Sequence, residues 1–282
     1  MCKLLQVSKS SYYYWRGNPL SKRKQEDLMY LGKIEAIYLR SKGTYGSPRI
    51  TKDLQMQGYA ISSKRVANLM QQANLRSVVS KHFKYRYRKS KDCTIMPNLL
   101  GQKFTVERIN EVWVSDITFI PTAQGWLFLT VILDLFDRKI IGWAMSDSLQ
   151  AKDSTIPAWH MAVKNRPIAS PLIFHSDRGV QYTCREFKEI IKKYPMLIQS
   201  MNRKGNCYDN AVAESFFKSL KSECTYRYKF KDKRQAKNTI FQYIEAWYNR
   251  TRRHQDLGRL NICEFNQLNH HNYNKIGFNS PS

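Results

Sequence analysis

A chain of 282 residues, 42% hydrophobic and 13% aromatic, is long enough for one large domain or two ordinary ones around a real core. Its longest apolar run, residues 127–136, is broken by Asp134 and too short to cross a bilayer, which excludes a membrane-spanning helix. A formal net charge of +25 repels itself in a compact fold and calls for a polyanionic partner.

That charge is densest at the N-terminal end. Residues 1–92 carry 20 Lys and Arg against 5 Asp and Glu; residues 93–282 carry 27 against 17. The six cysteines are scattered, with no CxxC pair, and no targeting segment precedes them. They read as reduced thiols of a soluble, intracellular chain. His270-His271 has no Cys pair to complete a zinc site, so no structural zinc is expected.

In chain order, the first sixteen residues run from an apolar Leu4-Leu5-Val7 stretch through Ser8, a helix cap, into three tyrosines and Trp15. This looks like the second half of a helical unit, with part of the working protein supplied from upstream. Residues 44–76 predict two helices joined by a tight turn. Ser47-Pro48 suits a helix start, Ile50 and Leu54 share a face, and Gly58 suits a stop. Ser62 caps the second helix, whose apolar face is Val66, Leu69 and Met70. Its other side presents Lys64, Arg65, Asn68, Gln71 and Gln72, donors suited to phosphates and base edges. The pair reads as a DNA-reading helix-turn-helix or as an ordinary helical hairpin with a polar face, and the local charge favours the former.

Residues 79–105 include SKHFKYRYRKSK, a basic linker with interleaved aromatics. It suits either a strand-tracking linker or a plain basic hinge. Strand patterns follow at 112–120, 125–136 and 139–145, then a helix over 151–165 and a strand over 171–177. Thr183 and Glu186 suggest a capping box for a helix to about Tyr194. A strand at 197–200 and a helix from Asp209 to Thr225 complete a mixed α/β layer. In the last long helix Ile240, Tyr243, Ile244 and Trp247 fall on one stripe.

Three acids occupy telling places: Asp116 inside an apolar strand, Asp177 at a strand end, and Glu214 one turn into a helix. A carboxylate flanked by Trp113, Val114 and Ile117 is costly to bury without a cation. Two such aspartates and a helical glutamate can hold two divalent ions for phosphoryl transfer, although each alone also fits a cap or surface role. Asp134 and Asp137 compete with them. Asp137 reads as turn chemistry and Asp134 as a structural acid near the site. Lys218 and Lys221 return to the face of Glu214, and Phe216, Phe217 and Leu220 pack inward. Lys204 joins the lysines as a candidate DNA contact.

WVSDIT, HSDRGVQY and RKGNCYDNAVAESFFKSLKSE together resemble the catalytic core of transposases of the IS-three family of bacterial insertion sequences, within the integrase-like DDE superfamily. YIEAWYNRTRRHQDLG resembles that family's closing segment, and GTYGSPRITKDLQMQGYAISSKRVANLM its helix-turn-helix. The resemblance spans roughly residues 2–268. It implies a ribonuclease-H-like core over 106–270, a helical DNA-binding region over 1–78 and a tail over 271–282. The matching triad is Asp116, Asp177 and Glu214, as catalytic residues and as ligands of Mg2+ or Mn2+, two ions during catalysis. It implies strand cleavage and strand transfer at the element's terminal inverted repeats and into target DNA, by a homo-oligomer near the nucleoid. It also implies that this is a B reading frame, joined to an upstream A-frame product. The departures are Arg178 for a usual Gln, Cys207 for Pro, Asn261-Ile262-Cys263 for Ser-Pro, and 36 rather than 35 residues between Asp177 and Glu214. They leave a non-catalytic or inhibitory DNA-end-binding product of the same element as the alternative.

Overall fold

The structure, a computed structural model, describes residues 2–17, 20–79, 96–101, 105–203 and 210–275. The chain divides into two compact units, Met1–His82 and Phe83–Ser282.

The first unit is helical, with α1 (Lys9–Gly17), α2 (Lys22–Arg40), α3 (Ser47–Met56) and α4 (Ser63–Gln72). Ser62 caps α4 by accepting from the Arg65 N–H. The cap of α3 is Gly46, not Ser47, which already lies inside the helix with Pro48 beside it. Ile50 and Leu54 of α3 and Val66, Leu69 and Met70 of α4 are buried as their spacing predicts. The largest element of this unit, α2, has no counterpart in the sequence reading. It buries Tyr30, Ile34 and Ile37 against the hairpin.

The second unit is a five-stranded mixed sheet flanked by helices. Its strands are β1 (Val112–Thr122), β2 (Gly125–Asp134), β3 (Ile140–Ser146), β4 (Leu172–Ser176) and β5 (Leu197–Met201), in the order β3-β2-β1-β4-β5. The first three form an antiparallel meander; β4 and β5 join parallel to β1. One face carries Val112, Val114, Leu129 and Val131. It is covered by α8 (Ala211–Glu223), α9 (Lys233–Gln242) and a π-helical turn, Tyr243–Tyr248. The other carries Trp113, Ile132 and Phe174 under α5 (Thr155–Asn165) and α7 (Arg185–Ile191). A short α6 (Val180–Thr183) follows β4, and α10 (Ile262–Lys275) ends the described chain. At Gly142 of β3 an added Cβ would lie 2.2 Å from the Ala158 carbonyl oxygen, so glycine permits the close seating of α5.

Two elements differ from what the sequence suggests. The Thr183/Glu186 capping box does not form. Thr183 closes α6 with its hydroxyl turned to the Gly179 and Val180 carbonyls, and Cys184 precedes α7. The final stripe is not α-helical throughout. The π turn advances the register, so Tyr248 is buried while Trp247 is only half-buried. Among the described residues no helix is long and apolar enough to cross a membrane.

Candidate active site

Asp116 lies mid-strand because β1 is apolar on both sides of it, and register decides what it faces. Val112, Val114 and Trp113 pair in parallel with Ile173, His175 and Phe174 of β4. Continuing that register brings Asp116 level with Asp177, just past the end of β4. Neighbouring strands lie about 4.8 Å apart, so Asp116, in the middle of β1, lies beside the point where β4 ends at Asp177. Asp116 shares the parity of Val112 and Val114, whose face is covered by α8, the helix that carries Glu214 in its first turn.

The electrostatics follow from that placement. Burial, then the charges of Asp177 and Glu214, push the Asp116 carboxyl well above the usual carboxylate range. The Ile117 N–H donates to it at 2.8 Å, and the charge of Lys221 also works the other way. Asp177 is raised by burial, opposed by the Gly179 N–H donating at 2.9 Å. Burial also raises Glu214 and lowers Lys221. Asp116 thus lies within electrostatic reach of both other acids, and all three carboxyls have raised proton affinity. Their all-oxygen donor set fits a hard divalent cation such as Mg2+ or Mn2+. Among the described residues, however, no three His, Cys, Asp or Glu side chains are gathered into a ready-made metal cage.

Residues of the same motifs, to which the sequence assigns no role, hold these elements. Ser115, beside Asp116, donates to the Val131 carbonyl or shares its proton with the buried Tyr182 hydroxyl, at 2.8 Å in each case. Asn210, at the start of α8, donates to the Ser115 carbonyl at 3.1 Å and so ties the helix of Glu214 to the strand of Asp116. Arg178 donates to the Asn202 carbonyl at 2.7 Å and joins the ends of β4 and β5. No sequence spacing signals these contacts, which close across as many as 95 positions.

The competing acids lie elsewhere. Asp134 sits on the opposite face of the sheet from Asp116 and accepts from Arg166 and from the Asn110 and Phe136 N–H groups. Asp137 accepts the turn bond from Lys139, as expected. It is also fully buried, paired with Arg166 and bonded by Asn266, so its role goes beyond the turn.

Of the DNA-contact candidates, Lys218 is exposed and Lys221 half-buried on α8. Lys64 and Asn68 are exposed on α4, whereas Arg65 is paired with Asp27 and Glu26 at 2.8 and 3.0 Å. Lys204 lies outside the described residues.

Three family models match the chain: an HTH-like domain over residues 22–83, and an integrase core domain over 106–207 and again, by a second model, over 214–269. Over 270 residues it is 37% identical to the insertion element IS600 uncharacterized 31 kDa protein of Shigella sonnei, covering 96% of this chain and 98% of that one. Over 271 residues it is 38% identical to transposase InsF for insertion sequence IS3A of Escherichia coli K12, covering 95% and 93%. Among solved structures, the HTLV-2 integrase catalytic core domain in complex with magnesium matches with a TM-score of 0.42 at 16% identity, over 55% of this chain and 95% of that one.

Proposed function

The chain belongs to the IS3 family of insertion-sequence transposases, and from that premise we propose that it cuts and joins DNA at the ends of its element with Asp116, Asp177 and Glu214 as the catalytic acids. The observation that carries the reading is the placement of Asp116 on the sheet face covered by α8, in the strand register that runs on to Asp177 and within electrostatic reach of Glu214. The three acids would hold one or two Mg2+ or Mn2+ ions, which when bound polarise the attacking oxygen and stabilise the leaving one. Gly179 orients Asp177, and Asn210 keeps Glu214 against β1. Lys218 and Lys221 bind phosphates beside the acids. In the first step water attacks a terminal phosphodiester, the phosphorus–O3′ bond breaks, and a 3′-hydroxyl is freed. In the second that hydroxyl attacks another phosphodiester in line, and its oxygen replaces the leaving one, so no covalent protein–DNA bond is needed.

Residues 1–78 read the terminal repeats, with Lys64 and Asn68 open to DNA; Arg65 binds phosphate only by exchanging Asp27 and Glu26 for it. Residues 79–105 link, 106–270 catalyse and 271–282 form a tail. Lys204 contacts DNA ahead of α8. The protein works as a homo-oligomer on DNA in the bacterial cytoplasm, at the nucleoid, and with the product of an upstream frame.

The test is incubation with labelled terminal-repeat DNA and Mg2+, for the parent, Asp116→Asn and Glu214→Gln, each also fused to the upstream frame. Cutting or joining by the parent and at least about a hundredfold less by each variant is expected, because the interaction removed acts in the transition state. Equal activity in all three would overturn the triad. Binding without chemistry in either form would favour a non-catalytic end-binding protein.

A further inference from the structure

Just beyond α8 the chain presents Tyr226, Arg227, Tyr228 and Lys229, four consecutive exposed residues. The tyrosines are 54% and 44% exposed, and both flanking residues, Thr225 and Phe230, are buried. This exposure is built into the fold. The Phe230 carbonyl accepts from the Ala123 N–H at 3.0 Å, and the Lys233 N–H donates to Gln124 at 3.1 Å, so the β1–β2 turn anchors the segment. The Tyr228 ring lies nearly parallel to that of Phe230, 17° between planes and 5.8 Å between centroids. A buried ring therefore braces an exposed one.

The charge beside these rings is one-sided. Between Arg227 and Lys237 the chain holds six Lys and Arg and one acid, Asp232, whose carboxylate caps α9 by accepting from Gln235 at 2.6 Å. Lys233 and Lys237 face Asp147. Lys229, Lys231 and Arg234 make no ion pair among the described residues. Rigid exposed aromatics interleaved with cations form the surface on which unpaired nucleotides stack while their phosphates are neutralised. A duplex offers the cations a partner and the rings none.

We propose that residues 226–234 form a ridge that binds an unpaired DNA strand, with Tyr226 and Tyr228 stacking on bases and Lys229, Lys231 and Arg234 on phosphates. The proposal rests on the reading that this chain acts on DNA. It adds where a separated strand goes: Glu214 and Glu223 are nine residue steps apart along α8, roughly 14 Å, so a strand passing Lys218 and Lys221 reaches the ridge within a few nucleotides.

The test uses the full chain without divalent metal and measures anisotropy of a labelled duplex with a single-stranded tail and of the same duplex with blunt ends. Tyr226→Ala/Tyr228→Ala is expected to bind the tailed DNA at least about fivefold more weakly and the blunt duplex unchanged. Tyr226→Phe/Tyr228→Phe, which keeps the rings, retains parental affinity. Lys229→Gln/Lys231→Gln lowers the slope of log affinity against log salt for the tailed DNA by about 1.4. Tailed-DNA affinity unchanged in the alanine variant, or equal losses on both DNAs, would overturn the ridge. A parent that binds neither DNA would overturn the DNA-acting reading itself, and the ridge with it.

Discussion

Replacing Asp116 by Asn is expected to stabilise the metal-free protein at neutral pH while removing its stabilisation by Mg2+. In the folded state burial and two neighbouring carboxylates raise the Asp116 proton affinity above its unfolded value. The folded state then binds more protons than the unfolded one between the two pKa values, so stability falls as pH rises through that window and stays low above it. Asn removes the repelled charge. The variant should therefore melt higher than the parent in EDTA at neutral pH, and the difference should vanish below the ordinary carboxylate range. Each ~1 kcal/mol of relief moves the melting temperature by roughly 2–4 °C in a unit of this size. Mg2+ should reverse the order, since an ion at a hundred times its dissociation constant adds about 2.7 kcal/mol to the protein that binds it. A parent and variant with the same melting response to pH and Mg2+ would break the link between this carboxylate and metal.

The second large effect lies at the other end of α8. Glu223 and Arg252 form a buried pair, with side chains 1% and 7% exposed and the guanidinium within 2.7–3.1 Å of both carboxylate oxygens. Tyr243 and Trp247 also donate to Glu223, and Arg252 reaches Ser219. The pair fastens the π turn and the segment after it to the helix that carries Glu214. Removing one partner strands a charge in the core, which typically costs about 3–5 kcal/mol. Arg252→Ala and Glu223→Ala should each lose that much in urea unfolding. The double variant should lose clearly less than the two losses added together, because neither charge is then left alone. Losses below about 1 kcal/mol, or simple additivity, would show that the pair does not hold this helix.

The sheet was legible in the sequence because its strands are short apolar runs with turn residues between them, and Asp116 stood out by interrupting one. That Asp116 meets Asp177 rather than Asp134 depends on parallel register between β1 and β4, which no local pattern carries. Asp137 shows the same divide. Its bond to Lys139 is local and readable, while its burial against Arg166 and Asn266 depends on chain 29 and 129 positions away. Helix α2 escaped notice because only Tyr30, Ile34 and Ile37 of its nineteen residues are buried, among Lys, Arg and Glu. The π turn was hidden because a stripe spaced for an α-helix does not reveal one extra residue per turn. The acids of the candidate site were legible through motifs; Ser115, Tyr182 and Asn210 stand in the same motifs, but the bonds by which they tie strands and helix together, across 16 to 95 positions, were not.

Whether these three carboxylates form one divalent-metal site is decided by anomalous diffraction from crystals of the protein grown with Mn2+. A peak is expected within about 2.0–2.2 Å of carboxylate oxygens of Asp116 and Asp177, with Glu214 reaching the same ion or a second one beside it. Manganese held at another acid cluster, or a Mn2+-saturated crystal with no peak between these residues, would contradict it.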